Sequence, residues 1–225
     1  MTEINAREAE IQRLVTSYEL SHTDAPVPAW VLPPTSCQFL RDLAAFFPSP
    51  PTAFEFGSGR STHALRSVSS RTTSVENSAE WLHQTEDGHV EKRPGDQSLV
   101  IPLRRCWNRL RLIESFDLQS QPQILQSLRE SHLILVDSPP NPAKREHALF
   151  LALRYAPVGA VVVLDDLEVR AVTRFSLRLA GQNAHAFRFW KVHIDHQLGL
   201  FLKMRSERIR SLPAPREFVG TWLRA

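Results

Sequence analysis

The sequence contains little cysteine, little glycine and no long hydrophobic run. Only two cysteines, Cys37 and Cys106, occur among 225 residues. This excludes a disulfide framework and a cysteine-based zinc site, and it favours a reducing compartment. No apolar run approaches the ~20 residues that a transmembrane helix needs, and the N-terminal segment is too polar for a secretory signal peptide. We therefore expect a cytoplasmic protein with no membrane partner.

An excess of charge of one sign is also lacking. The 27 Lys and Arg residues against 24 Asp and Glu residues leave a net charge of +3, far below that of a dedicated nucleic-acid binder. Hydrophobic residues make up 42% and charged residues 23% of the chain, which is typical of a globular protein. The length fits one domain with additions.

The first fifty residues are predicted to form a helical extension. Apolar residues at i, i+3, i+4 and i+7 spacing predict an amphipathic helix over residues 3–20. A proline-rich linker follows, and Thr35 or Ser36 can then cap a second helix. We expect residues 1–50 to act as a lid over the substrate or as the contact of a homodimer.

After residue 50, short apolar runs alternate with helical stretches. This pattern predicts an α/β fold in which a parallel sheet is covered by helices on both faces. Two strand-like runs near the end have no helix between them, which predicts an antiparallel hairpin. The predicted strands are residues 52–57, 72–76, 99–103, 133–137, 160–165, 187–194 and 198–204, and the predicted helices are residues 61–69, 78–84, 124–129, 142–155 and 169–179.

Two of the eight glycines, Gly57 and Gly59, flank Ser58 between the first strand of this sheet and a helix. Such a turn lets the backbone approach a ligand closely, and the helix N-terminus can hold a carboxylate or phosphate. An ordinary strand-to-helix turn is the alternative. A dinucleotide-binding fingerprint would need a third glycine where Thr62 stands. The second strand ends in Glu76, beside this turn, where a carboxylate can bind a ribose diol.

Four segments resemble those of class I S-adenosylmethionine-dependent methyltransferases: EFGSGRST, SVENSAEW, LVDSPP and VVVLDD, in this order. The resemblance covers about residues 50–204. It implies a Rossmann-like, mostly parallel seven-stranded sheet that ends in the antiparallel hairpin, with S-adenosylmethionine (SAM) as the cofactor. It divides the chain into the extension of residues 1–50 and a cofactor-binding domain of residues 51–225.

The same resemblance implies the contacts of the cofactor. Ser61 would hold its carboxylate, and Glu55 would lie near its amino group. Glu76 would bind the ribose hydroxyls. Trp81 would lie near the adenine or, alternatively, in the core. The full set of implied cofactor-binding residues is Glu55, Gly57, Ser58, Gly59, Ser61, Thr62, Glu76, Asn77 and Trp81.

Three carboxylates follow two neighbouring predicted strands: Asp137, Asp165 and Asp166. They should converge at the carboxyl edge of the sheet, where α/β proteins bind ligands. Convergent carboxylates need a cation, and oxygen ligands suit Mg²⁺ or Ca²⁺. They resemble the cation site of metal-dependent O-methyltransferases, in which the metal would hold a substrate hydroxyl and lower its pKa. Alternatively, Asp166 caps the next helix and Asp165 pairs with Arg170.

Spacing alone does not mark the general base. Catechol-type relatives have a lysine three residues after the first metal-binding acid, and Pro140 stands there in this chain. Asp137 and His147 are the candidate catalytic residues. Lys144 and His196 are the alternatives for taking the proton.

The expected reaction is transfer of a methyl group from SAM to a hydroxyl oxygen of a small molecule of the sugar or natural-product type, assisted by Mg²⁺. One alternative is an RNA or DNA methyltransferase that uses the basic segment Arg104–Arg111. The motif SPPN at residues 138–141 resembles that of base-modifying enzymes, but Asn141 cannot stack on a flipped base. Another alternative is a module that binds the cofactor without catalysis.

Overall fold

A computed structural model of the chain describes residues 3–19, 32–86, 92–108, 111–194 and 196–206. None of the helices in these ranges is long and apolar enough to cross a membrane. The helices are α1 (Glu3–Glu19), α2 (Pro34–Ala44), α3 (Arg60–Val68), α4 (Ala79–Glu86), α5 (Pro122–Glu130), α6 (Glu146–Tyr155) and α7 (Arg170–Gln182). The strands are β1 (Thr52–Phe56), β2 (Arg71–Glu76), β3 (Gln97–Val100), β4 (Leu103–Asn108), β5 (Arg111–Phe116), β6 (Leu133–Val136), β7 (Val161–Leu164), β8 (Phe187–His193) and β9 (Gln197–Lys203).

Seven strands form one sheet in the order β3-β2-β1-β6-β7-β9-β8. The first five of these run parallel, whereas β9 is antiparallel to both of its neighbours. The predicted α/β, Rossmann-like sheet with a C-terminal antiparallel hairpin is therefore confirmed. The chain moves outward from β1 to β3 and then returns to β6 on the other side of β1. Open α/β sheets bind ligands at the carboxyl ends of the strands at such a reversal of order.

The sheet separates two apolar clusters, as expected when helices cover both of its faces. Successive residues of a strand point to opposite faces. In β6, Ile134 and Val136 join the cluster that includes residues of α5, α6 and α7, whereas Leu133 and Leu135 join the cluster that includes residues of α1, α2 and α3. All four of these strand residues are buried. The unbroken apolar run of β6 thus fills both cores.

The predicted helical extension packs on the sheet. α1 lies against the edge strand β8, where Arg188 Nε donates to Glu8 at 2.9 Å and Trp190 Nε1 donates to Gln12 at 2.7 Å. α1 and α2 share one apolar cluster with α3. A role for residues 1–50 as a lid or as a dimer contact stays a prediction.

The start of α2 differs from the prediction. The helix begins at Pro34, and Pro33 is its N-cap residue without any side-chain capping hydrogen bond. The prediction that Thr35 or Ser36 caps this helix is therefore wrong, because both residues lie inside it. Proline suits the first helical turn, since its backbone angle is preset and its missing N–H is not needed there.

The structure differs from the prediction at three further points: two element boundaries and one hairpin. The strand predicted over residues 99–103 ends at Val100, and a new strand begins at Leu103. The hairpin of β4 and β5, which forms a separate two-stranded sheet, was not predicted. The helix predicted over residues 142–155 is divided into a short 3₁₀ turn, Pro142–Lys144, and α6.

Candidate functional site

The ladder of backbone hydrogen bonds continues past the ends of three neighbouring strands. The amide of Gly57 donates to a carbonyl of β2 at 2.8 Å. The amide of Asp137 donates to Phe56 at 2.9 Å, and the amide of Asp165 donates to Val136 at 3.1 Å. These bonds place the glycine turn and two of the predicted acids at one edge of the sheet, around the reversal of strand order.

Gly57 makes the close approach between the glycine turn and the segment after β6. Its φ of +105° favours glycine, and a Cβ there would lie 3.2 Å from the Cβ of Ser138 and 3.4 Å from the carbonyl carbon of Asp137. The hydroxyl of Ser138 donates to the side-chain oxygen of Asn77 at 3.1 Å. The ends of β1, β2 and β6 are therefore joined directly at this point.

Glu55 is fully buried beneath the glycine turn. Its carboxylate accepts hydrogen bonds from the hydroxyls of Thr62 at 2.7 Å and Ser74 at 2.9 Å, and from the hydroxyl of Ser61. Thr62 Oγ1 also accepts the amide of Gly59 at 2.9 Å. Burial raises the pKa of Glu55 to about 7, although the three hydroxyls lower it. Glu55 thus fixes the first turn of α3 from below.

Glu76 is buried and joins the end of β2 to the glycine turn. Its Oε2 accepts the amide of Ser58 at 3.0 Å, and its Oε1 accepts the amides of Asn77 at 2.7 Å and Ser78 at 3.0 Å. Oε2 also accepts the hydroxyl of Ser58 at 3.5 Å, so the roughly four acceptor positions of the carboxylate are occupied. A ligand hydroxyl at Oε2 would replace this long, weak bond of Ser58. Trp81 Nε1 donates to the carbonyl of Ser58, and its side chain is 38% exposed. Trp81 therefore does not belong to the core.

The structure brings the three predicted acids together. Oxygen atoms of Asp137, Asp165 and Asp166 lie within 4.8 Å of one another. Asp166 does not cap α7, because the N-cap residue of that helix is Val169. Asp165 forms ion pairs with Arg145 and His196 rather than the predicted pair with the first residue of α7.

The guanidinium group of Arg145 lies among these three acids. Its Nη2 is 3.0 Å from Asp137 Oδ1, and its Nη1 is 2.8 Å from Asp166 Oδ2 and 3.6 Å from Asp165 Oδ2. Nε donates to the carbonyl of Pro139 at 3.1 Å. The side chain is only 5% exposed. Arg145 was not among the predicted site residues, since one arginine near the start of a helix carries no local signal.

The charges of this cluster are unevenly distributed. Burial raises the pKa of Asp137 well above its usual value, and the neighbouring Asp165 raises it further. Burial and Asp165 likewise raise the pKa of Asp166 to about 6. Burial also acts to raise the pKa of Asp165, but the hydrogen bond and charge of His196, the charge of Arg145 and a hydrogen bond with Asp137 together lower it. The pKa of His196 is raised by the same contact, against the effect of its own burial.

This donor set does not fit a divalent cation as it stands. Mg²⁺ requires near-octahedral oxygen ligands, and Ca²⁺ takes six to eight. One oxygen of each acid already lies 2.8 to 3.6 Å from the buried guanidinium of Arg145. The predicted convergence of the acids is present, but a cation supplied by the chain already neutralises part of their charge.

The candidate bases lie in different surroundings. His147 is close to the hydroxyl of Ser115, and burial lowers its pKa to about 4. Lys144 pairs with Glu114 at 2.8 Å. His196 contacts the acid cluster directly. The catalytic roles of Asp137 and His147 stay predictions, and the partly buried surroundings of His147 favour its neutral form.

The basic segment has acidic neighbours. Arg104 Nη1 lies 2.9 Å from Asp117 Oδ2, and Arg105 lies opposite Glu114 in the hairpin of β4 and β5. The positive charges of Arg104 and Arg105 are therefore partly compensated by these neighbouring acids. The predicted basic segment also includes Trp107, Arg109 and Arg111. Arg109 and the side chains of Trp107 and Arg111 lie outside the described part of the structure.

Solved methyltransferase structures resemble this chain over most of its length. An O-methyltransferase from Bacillus cereus in complex with SAH has a TM-score of 0.54 and 16% identity, covering 88% of this chain and 90% of that one. The O-methyltransferase TomG from Streptomyces achromogenes, in complex with SAM, has a TM-score of 0.50 and 16% identity, covering 91% and 100%. An rRNA methylase from Streptococcus thermophilus has a TM-score of 0.50 and 14% identity, covering 76% and 95%. No family model and no curated protein matches the chain. The likeness shows that this chain has the fold of class I SAM-dependent methyltransferases.

Proposed function

We propose that the protein transfers the methyl group of SAM to a hydroxyl oxygen of a small molecule. The observation that carries the proposal is the glycine turn, Gly57 to Gly59, held between the buried acids Glu55 and Glu76 where the strand order reverses. Ligands of open α/β sheets bind at this position. The shared fold of the methyltransferase structures adds support.

The turn offers distinct partners to each part of the cofactor. The first amides of α3, at Arg60 and Ser61, have no acceptor within the helix and can bind the methionine carboxylate. The hydroxyl of Ser61 already donates to Glu55, so the backbone rather than the side chain serves this role. Glu76 Oε2 would accept a ribose hydroxyl, and the half-exposed Trp81 would lie along the adenine.

The acceptor hydroxyl would lie at the acid cluster. The methyl group of SAM is already activated by the sulfonium, so the protein mainly has to align the attacking oxygen and receive its proton. Asp137 follows β6 directly beside Gly57, and its side chain is 28% exposed. Asp137 is therefore our proposed proton acceptor, and His196, held by Asp165, is the second choice. A sugar or natural-product acceptor and a cytoplasmic location remain part of the proposal.

Calorimetric titration of the full chain with SAM and with its demethylated product tests the cofactor assignment. We expect a dissociation constant on the order of 1 μM, or about −8 kcal/mol, and no binding of NAD as the control ligand. Failure of both SAM forms to bind would overturn the proposal. Cofactor binding without methyl transfer to any acceptor would instead favour the non-catalytic module. Binding of RNA that weakens steeply with salt would favour the nucleic-acid alternative.

A further inference from the structure

The geometry points to Arg145 as the built-in cation of the acid cluster: we infer that its guanidinium keeps a divalent metal out, so that methyl transfer needs none. Only the last clause rests on the proposed function. Exclusion of the metal is a property of the folded chain and can be tested by binding alone.

The acids need a positive partner, and Arg145 meets all three. Carboxylates whose oxygens lie within 4.8 Å of one another repel strongly when they are buried, unless a cation is close. Guanidinium is planar, permanently charged and carries donors on three nitrogens. Here Nη2 lies 3.0 Å from the acid after β6, and Nη1 lies 2.8 and 3.6 Å from the two acids after β7, as ion pairs in which Nη1 forms no hydrogen bond. One side chain thus bridges the ends of two neighbouring strands.

Arg145 is also held in place. Its Nε donates to the carbonyl of Pro139 at 3.1 Å, and its own carbonyl accepts the amide of Leu149 at 2.9 Å in the first turn of α6. Because the side chain is 5% exposed, swinging it aside would either bury the guanidinium without its acids or leave the partly buried Asp137 and Asp166 without this cation, while Asp165 would keep its ion pair with His196. Either state is strongly destabilising.

Little room remains for a second cation. Asp165 contacts Arg145 on one oxygen and His196 on the other. Asp137 and Asp166 each have an oxygen about one hydrogen-bond length from the guanidinium. A divalent ion would have to bind beside this fixed positive charge, through the remaining oxygens of Asp137 and Asp166, and still complete a set of six or more ligands. Binding the metal therefore requires removal of Arg145.

Titration of the full chain with Mn²⁺, followed by electron paramagnetic resonance of the free ion, tests this inference. Wild-type protein should show no stoichiometric site up to about 1 mM, the weak end of protein cation sites. Arg145→Ala should create one site that binds at least about tenfold more tightly. Adding Asp166→Asn to that variant should abolish the site. Arg145→Lys retains the charge and should remain without a site, as should the exposed control Arg174→Ala.

Two results would overturn the inference. One is a Mn²⁺ site in the wild-type protein that Asp165→Asn removes. The other is a folded Arg145→Ala variant that gains no site. If Arg145→Ala fails to fold, thermal unfolding of the wild-type protein tests the inference instead. Its midpoint temperature in Mg²⁺ should equal that in sodium chloride of the same ionic strength. A higher midpoint in Mg²⁺ would contradict the inference. None of these measurements uses SAM, so a failure of the proposed function would be distinguishable from a failure here.

Discussion

Oε2 of Glu76 accepts the backbone amide of Ser58 at 3.0 Å, across 18 residues of chain. The contact ties the last residue of β2 to the glycine turn after β1. The other oxygen, Oε1, accepts the amides of Asn77 and Ser78. Glu76 thus shapes the turn and at the same time presents a carboxylate oxygen to the proposed cofactor. Its two tasks depend on the same negative charge, because all three backbone partners are donors.

Replacing Glu76 by Gln should weaken SAM binding by about 1.5–3 kcal/mol, the range for a hydrogen bond to a charged group. Gln keeps the size of the side chain, but its NH₂ group would face a backbone N–H. Calorimetry of the folded variant measures the loss. The matched control is Glu80→Gln, at an exposed position of α4, which should bind SAM like the wild type. If Glu76→Gln binds equally well, the carboxylate does not contact the cofactor.

Glu55 should make the stability of the protein depend on pH. Its pKa is raised from 4.5 to about 7 in the folded state, so the folded state holds this proton more tightly than the unfolded state does. The stabilisation from the protonated form is complete below about pH 4.5 and is lost as the pH rises towards 7. At about 1.4 kcal/mol per pKa unit, the loss is on the order of 3 kcal/mol.

Comparison with Glu55→Gln isolates this contribution, because Gln mimics the protonated acid at every pH. The free energy of unfolding of the wild type, relative to that variant, should fall between pH 4.5 and 7 and then level off. Urea denaturation at several pH values measures it. For the control Glu80→Gln, the difference in free energy of unfolding from the wild type should stay constant over the same pH range. A flat difference for Glu55→Gln would mean that Glu55 is ionised throughout this range.

Much of the fold could be predicted from the sequence, because its central strands are apolar on both faces and alternate with helices. The unbroken run of β6 and the missing helix between β8 and β9 were sufficient signals. The hairpin of β4 and β5 was missed because Arg104 and Arg105 give its first strand no apolar alternation. The pairing of β4 with β5 depends on contacts between the two strands, which neither strand's sequence indicates by itself.

Less of the candidate site than of the fold could be predicted from the sequence. The positions of the predicted strand ends indicated that the glycine turn, Glu76 and the acid cluster would lie at the same edge of the sheet. The partners within that edge could not be predicted, because a buried hydroxyl such as that of Ser61 takes whichever acceptor the fold supplies. The same is true of Arg145, which follows Asp137 by eight residues and reaches it only through the turn before α6. A contact that depends on the path of a loop leaves no periodic pattern.

His147 should remain neutral down to about pH 4. Burial depresses its pKa from 6.5 to about 4, so its stabilisation is complete above pH 6.5 and declines as the pH falls through 4. NMR titration of the imidazole signals should give a midpoint near 4, with an exposed histidine such as His185 as the internal reference. A midpoint at 6 or above would contradict the lowered pKa and would favour His147 as the general base. Because Glu55 has the opposite pH dependence, stability measurements of His147 variants require the Glu55→Gln background.

Arg7 should hold α1 to the sheet. Its Nη1 donates to the carbonyl of Gly159 at 2.6 Å, and its guanidinium lies 4.4 Å from the centre of the Phe47 ring. Arg7 is buried. Its ion-pair partner Glu3 is largely exposed, so this ion pair contributes little to the free energy of unfolding. Arg7→Met should lower the free energy of unfolding by on the order of 2–3 kcal/mol, the sum expected for a charged hydrogen bond and a cation–π contact.

Denaturation by urea measures this loss, and Arg13→Met is the matched control on the same helix. Arg13 is exposed and donates to the carbonyl of Ala9 in its own helix, so its replacement should change stability by no more than about 0.5 kcal/mol. Limited proteolysis should cleave α1 faster in Arg7→Met than in Arg13→Met, because the helix opens locally more often when its anchor is lost. Equal stability and equal cleavage in both variants would show that α1 is held by other contacts. In that case the contacts of α1 with β8, at Arg188 and Trp190, would be the next candidates for its anchor.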